Sequence, residues 1–377
     1  MEFILPSPAG KISPDNTSIT FYDNFDHKIE PNTLPMHLTI LTFGDRFNQK
    51  IEPNSLPENL STLTFGYYFN QKIEPNSLPE NVTTLTFGHK FNQKIEPNSL
   101  PENLANLTFG WEFNKKIKPT SLPKNLANLT FGWEFNKKIK PTSLPKKLAN
   151  LTIGGLFNKK IEPNSLPGNL TTLTFGHYFN QKIESDSLPI NVTSLTFGGH
   201  FNQKIEPNTL PEKLTTLTFG KDFNKKIEPN SLPENLTTLT FGYDFNQKIE
   251  PNNLPKNLTN LTFGWTFNQN IENILSKIKN INFNWINMTT KMIYKKDINI
   301  INNIPRYYHV KLYVDDNIFD GEGPKWPIHV VKYKKKNWSS DIYDIIDKYS
   351  DPIYGDIIVL INKETYEPYS HIKSTHN

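Results

Sequence analysis

Phenylalanine stands on a fixed grid in this chain: Phe25, Phe47, Phe69, Phe91, Phe113, Phe135, Phe157, Phe179, Phe201, Phe223, Phe245 and Phe267 are spaced 22 residues apart. Eleven Leu-Pro pairs, from Leu34-Pro35 to Leu254-Pro255, keep the same interval. A period of roughly 20–50 residues belongs to solenoids, in which one unit cannot bury its apolar face alone and gains stability by stacking on its neighbours. Most of the 377 residues therefore form one array, not the two or three ordinary domains their number would suggest.

Residues 56–77 show what one turn builds. Leu56, Leu60, Leu63, Phe65, Phe69 and Ile73 mark positions that are apolar in nearly every copy. Around Leu63 and Phe65 the apolar residues alternate with Thr62, Thr64 and Gly66, the period of a half-buried strand. Leu63 and Phe65 are expected to point inward and the two Thr outward, with successive strands side by side in a parallel sheet at ~4.8 Å. Pro75 and Pro79 recur in most turns, and each removes an N–H and biases the preceding residue toward extended backbone. The return side is therefore non-helical and the coil only gently curved. Asn70 and its equivalents, Asn48 through Asn268, carry amides able to bond the backbone of their own and the next turn, so they read as the clamp of the coil. Gly44 through Gly264 end each strand, where a corner needs positive φ or a close backbone approach.

The pattern Leu-Pro-x-x-Leu-x-x-Leu-x-Phe-Gly-x-x-Phe-Asn-x-x-Ile-x-Pro, with Phe69-Asn70, Ile73 and Pro75 as its marker, resembles the FNIP repeat over residues 12–271. That resemblance implies a β-rich solenoid with a leucine-rich-repeat-like parallel sheet, of a kind known mainly from social amoebae and giant DNA viruses. Only Arg46 and Arg306 of the 41 basic residues are Arg, which agrees with the AT-rich coding of such sources. Some members carry an F-box and are thought to present targets to ubiquitin ligases. Here some twenty residues precede the first clear strand, too few for an N-terminal F-box, so an adaptor role falls to the C-terminal region.

Four segments are expected. Residues 1–33 form a degenerate cap repeat, with Ile19 and Phe21 in the strand positions and Asn16, Tyr22 and Asp26 replacing Leu, Gly and Asn. Residues 34–271 are the repeats, coiling to the right. Residues 272–287 hold a cap strand in which Ile278, Ile281 and Phe283 repeat the spacing after a 20-residue step. Residues 288–377 read as a small α+β unit. It has strands at 308–314, 328–333 and 355–362, and a helix capped by Ser339 or Ser340 that buries Ile342, Ile345 and Ile346.

Composition narrows the chemistry. With no Cys there is no disulfide, thiolate metal site or cysteine nucleophile. The longest aliphatic run, 357–361, is far below a membrane span, and the first ten residues lack the pattern of a secretory signal, so a cytoplasmic protein is expected. Phosphate-loop, zinc-protease and nucleophile-elbow motifs are absent from the sequence, and the nine His are scattered through it. Asp315, Asp316, Asn317, Asp320 and Glu322 are acidic enough for calcium, but Phe319 occupies a ligand position, and a solvated turn is the simpler reading. No metal or cofactor is expected.

Specificity in such an array belongs to the positions that vary. The two residues after each Gly vary most, and they should line one edge of the concave sheet. Tyr67, Tyr68, His89, Trp111, Trp133, Tyr178, Tyr243 and Trp265 stand there and are the candidate partner contacts. A basic patch is the second candidate, with Lys115, Lys116, Lys137, Lys138, Lys159 and Lys160 at its centre. Residues 111–160 hold eleven Lys and two Glu, a net +9 that leaves −5 for the rest of a chain whose formal charge is +4. Two of its turns, 109–130 and 131–152, differ only at Asn125 versus Lys147, so the patch also reads as a duplicated Lys-rich unit, and a nucleic-acid partner is not expected. The regular Thr-x-Thr face invites an ice-lattice match, although Thr is simply a good strand residue. The function expected is a monomeric, non-enzymatic scaffold for unidentified protein partners. The alternatives are a ubiquitin-ligase substrate adaptor and a catalytic C-terminal domain carried by the array.

Overall fold

The computed structural model describes residues 10–267, 269, 274, 278, 280–285, 309–314 and 328–331. They wind as a parallel β-solenoid of about eleven turns, with almost no helix. Two compact units divide the chain, Met1–Gln203 with Asn208–Leu214, and Lys204–Pro207 with Thr215–Asn377.

In the first unit, β1 (Gly10–Ile12) runs antiparallel to β2 (Ser18–Phe21). Parallel strands follow, one per turn: β3 (Ile40–Thr42), β4 (Thr62–Thr64), β5 (Thr84–Thr86), β6 (Asn106–Thr108), β7 (Asn128–Thr130), β8 (Asn150–Thr152), β9 (Thr172–Thr174) and β10 (Ser194–Thr196). Equivalent residues pair without offset, Leu63 against Leu85 and Leu85 against Leu107. The antiparallel β1 covers what would otherwise be an open parallel edge, the usual protection against edge-to-edge association.

In the second unit, β11 (Thr216–Thr218), β12 (Thr238–Thr240) and β13 (Asn260–Phe263) continue the pattern. Strand β14 (Asn280–Trp285) pairs with β13, Ile281 on Leu261 and Phe283 on Phe263, as the shortened 20-residue step requires. Strands β15 (His309–Val314) and β16 (Ile328–Val331) fall where the sequence pattern places them. They extend the sheet, β15 parallel to β14 and β16 antiparallel to β15. The expected helix after Ser339 or Ser340, the strand at 355–362 and the acidic turn at 315–322 lie outside the described residues.

The core is a double file of phenylalanines. Phe65 and Phe69 stack at 3.8 Å within their turn, and each repeats along the axis, Phe65 to Phe87 at 5.6 Å and Phe69 to Phe91 at 6.1 Å. Leu60 and Leu63 beside them are fully buried. Within residues 10–267 the return side carries one short 3₁₀ turn, Pro251–Asn253, and otherwise runs in turns and extended pieces, the outcome that the recurring prolines dictate.

Three local devices join one turn to the next. Asn Oδ1 accepts the backbone N–H of the following Asn, Asn70 from Asn92 and Asn114 from Asn136, at 2.9 and 3.1 Å. These amides are half-buried, with one edge toward solvent. Asp26 supplies the same acceptor to Asn48 at 2.8 Å, which explains how the degenerate first turn tolerates it. The glycine corner is a close approach: a Cβ on Gly66 would sit 2.1 Å from the Gly44 carbonyl oxygen, and one on Gly110 would sit 1.7 Å from that of Gly88. Left-handed backbone falls elsewhere, on the Asn of Pro-Asn-Ser, with Asn54, Asn76 and Asn98 at φ 62°. Asn tolerates that region better than most residues, and the Ser after it anchors the turn, Ser77 Oγ donating to Glu74 O at 2.8 Å.

Candidate functional site

The variable pair after each Gly sits on a backbone ladder that ignores side-chain identity. The second residue's N–H donates to the first residue's carbonyl one turn earlier: Lys90 to Tyr67 and Glu112 to His89 at 2.9 Å, Glu134 to Trp111 at 2.8 Å, and Tyr178 to Gly155 and His200 to His177 at 2.8 Å. Because backbone atoms alone make this ladder, it persists whichever side chains stand there. The sequence pattern shows the variability; only the coordinates show its backbone support.

Those side chains assemble into a column of rings in the first unit. Tyr67 stacks on His89 at 4.4 Å, His89 on Trp111 at 5.6 Å, and Trp111 on Trp133 at 5.1 Å, with interplanar angles of 18°, 6° and 16°. Gly155 follows Trp133 in the column, and a Cβ there would meet the Trp133 ring at 2.2 Å, so the indole lies over bare backbone and reaches His177 at 5.8 Å. Gly199 gives the His177 ring the same room, 2.4 Å from its added Cβ. Two residues that the variable pattern leaves blank thus hold the column together. The column ends in a knot of three rings, with His200 4.6 Å from His177 and 4.7 Å from Tyr178. The histidines, dispersed in sequence, are therefore partly gathered in space. In the second unit Tyr243 and Trp265 stack at 6.1 Å, and Lys221 Nζ lies 5.8 Å over the Tyr243 ring.

Stacking along the axis consumes ring faces and leaves ring edges outward. Tyr68 is 52% exposed, Trp111 47% and Tyr178 43%, while His89, Trp133 and Trp265 are half-buried. Glu112 accepts a hydrogen bond from Lys90 Nζ, which raises the Lys90 ammonium above its ordinary pKa, and lies 3.6 Å from His89 Nδ1. The edge therefore offers flat apolar borders flanked by fixed charges. Among the described residues no three His, Asp or Glu side chains gather as a metal site, and no helix is long and apolar enough to cross a membrane.

The basic patch lies on the segment that follows the edge. Lys116, Lys138, Lys159 and Lys160 are exposed, and Lys115 and Lys137 half-buried. Lys138 meets Glu162 at 3.0 Å, holding that carboxyl below its usual range, and Lys160 meets Glu184 at 4.0 Å.

Identical turns, an in-register parallel sheet, a non-helical return and a variable outer edge define a repeat scaffold of the leucine-rich-repeat kind. The FNIP Repeat model matches residues 9–46, 25–68, 47–90, 69–112, 91–126, 113–155, 157–200, 201–244 and 245–284, and the chain belongs to that family. Among solved structures it is similar to CroV588, a giant-virus protein described as a novel circular LRR protein, at 42% identity and a TM-score of 0.70. The match covers 79% of this chain and 46% of CroV588, so the chain spans less than half the length of that relative. An internalin from Listeria monocytogenes matches at 15% identity and a TM-score of 0.48, over 80% of this chain and 81% of its own. No curated protein matches.

Proposed function

We propose that this chain is a non-enzymatic protein-interaction scaffold whose aromatic edge, beside the polar face of the sheet, receives one or more protein partners. The observation that carries the reading is the ring column from Tyr67 to Trp133, prolonged over Gly155 to His177 at the positions that vary most. Rings half-ordered by their neighbours lose little entropy when covered, and aromatic residues are the usual energetic anchors of interfaces. The polar sheet face adds hydroxyl and amide groups, including a chain in which Asn128 Nδ2 donates to Asn106 Oδ1 at 2.6 Å. Being a leucine-rich-repeat-type scaffold is consistent with this use.

The test is quantitative affinity capture from a cell lysate, wild type against a Trp111→Ala, Trp133→Ala double variant. Circular dichroism checks that both remain folded. Partners enriched by the wild type should be lost by the variant. An unchanged set at unchanged enrichment would remove the edge from the account.

A further inference from the structure

The three consecutive turns that carry residues 115, 137 and 159 abandon contacts that most other turns keep. In most other turns Gln follows the clamp Asn and donates to the previous turn's clamp: Gln71 Nε2 to Asn48 Oδ1 at 3.2 Å, Gln93 to Asn70 at 3.0 Å, Gln181 to Asn158 at 2.8 Å. Lys225 replaces that Gln singly, and only at 115, 137 and 159 does the replacement fall on consecutive turns. Lys115, Lys137 and Lys159 replace that Gln and have neither a hydrogen bond nor an ion pair among the described residues. In most other turns Lys and Glu pair within the turn, as Lys72 with Glu74 at 2.9 Å. Lys118 and Lys140 replace that Glu, and Lys116 is left unpaired among the described residues. The same two turns put Thr120 and Thr142, which are β-branched, at φ 65° and 66° where their neighbours have Asn. Ser121 Oγ, alone among its equivalents, is buried without a hydrogen-bond partner.

All of these departures weaken the coil in one region, and the charge changes have one sign. The clamp bonds from Asn136 to Asn114 and from Asn158 to Asn136 hold Lys115, Lys137 and Lys159 on consecutive turns. Like charges at the ~4.8 Å repeat of a sheet repel. A bound anion relieves that repulsion.

The extent of the patch selects the anion. It is three turns long, about 10 Å between its outer columns. Glu96, which pairs with Lys118 at 3.1 Å, bounds it on one side, and Glu162 and Glu184 bound it on the other. A nucleic-acid strand or duplex crossing it would run on over those carboxylates, whereas about three to six extended residues, at ~3.3 Å each, fit between them. The Lys heads are point charges, and the patch holds no Arg to grip phosphate in two-pronged fashion. We infer that the face formed by Lys115, Lys116, Lys118, Lys137, Lys140 and Lys159 is a second binding surface, separate from the aromatic edge, that takes a short acidic polypeptide segment.

The test uses fluorescence anisotropy of labelled hexaglutamate with the full chain, beside labelled hexathymidylate at the same ionic strength. The variant is Lys115→Gln, Lys137→Gln, Lys159→Gln, which installs the residue that most other turns carry. Thermal melting should show it at least as stable as the wild type. Hexaglutamate binding should weaken about tenfold in the variant and fall with added salt, while Trp111→Ala, Trp133→Ala leaves it within twofold. Equal affinity of wild type and variant, no binding at low salt, or tighter binding of hexathymidylate than of hexaglutamate would each overturn the inference.

Discussion

Replacing Gly110 by Ala tests how closely the turns are packed. An added Cβ would lie 1.7 Å from the Gly88 carbonyl oxygen and 2.4 Å from its carbon. Carbon and oxygen tolerate about 3.3 Å, so the two turns must part by roughly 1.6 Å, and the obstacle is backbone with no rotamer to yield. Two hydrogen bonds sit at that corner, Glu112 N–H to His89 O at 2.9 Å and Phe113 N–H to Gly110 O at 3.2 Å. Overpacking costs about 1–3 kcal/mol and each broken bond about 1 kcal/mol, giving a loss of about 3–5 kcal/mol. Gly168→Ala is the matched control: nothing lies within 4 Å of its added Cβ, and its φ is not left-handed. That substitution should stabilise by about 0.4–1 kcal/mol through the unfolded chain. Urea titrations of both variants, followed by far-ultraviolet circular dichroism, should separate them by roughly 4 kcal/mol. If Gly110→Ala unfolds at the wild-type midpoint, the close-approach account of the corner is wrong.

Further outcomes follow from other ladders. Asn136→Ala strands the Asn158 N–H and should cost about 1–2 kcal/mol by the same titration, whereas Asn136→Asp keeps the acceptor, as Asp26 does, and should cost less than half as much. Phe69→Ala empties a fully buried site between Phe47, Phe65 and Phe91 and should cost about 3–5 kcal/mol. Thr120→Asn relieves a left-handed β-branched residue and should raise stability by about 1 kcal/mol. The Asp15 carboxyl is held at about 2, below the usual range of an aspartate, first by the Ser13 hydroxyl and then by the Thr17 N–H and hydroxyl. Its support of the β1–β2 hairpin is thus present above about pH 4 and lost as pH falls through 2. Hydrogen exchange at Ser18 should accelerate over that window in the wild type, and Asp15→Asn should flatten the change.

Much of the fold is legible because each turn must solve the same burial problem with the same residues. Leu63 and Phe65 alternate with Thr and point inward, and even the shortened step to Ile281 and Phe283 gives the observed register. Identity along the grid conceals which constraint each residue answers. Gly66 and Asn76 both look like turn formers, yet one is a close approach and the other a left-handed residue. The candidate edge is legible as a set of variable positions but not as a ring column. Which rings meet depends on side-chain rotamers, and on Gly155 and Gly199 leaving space for Trp133 and His177. For the Lys-rich turns, duplication accounts for two turns being alike. It does not account for Lys159 in the next turn, or for the strain and lost bonds that accompany the charges.

Hydroxyl-radical footprinting of the full chain, free and with a captured partner, tests the edge most directly. The account predicts protection of Tyr67, Trp111, Trp133 and Tyr178, while Met36 and Ile190, 77% and 61% exposed and outside the ring column, stay as reactive as before. Protection of Met36 and Ile190 with the ring column unchanged would contradict it.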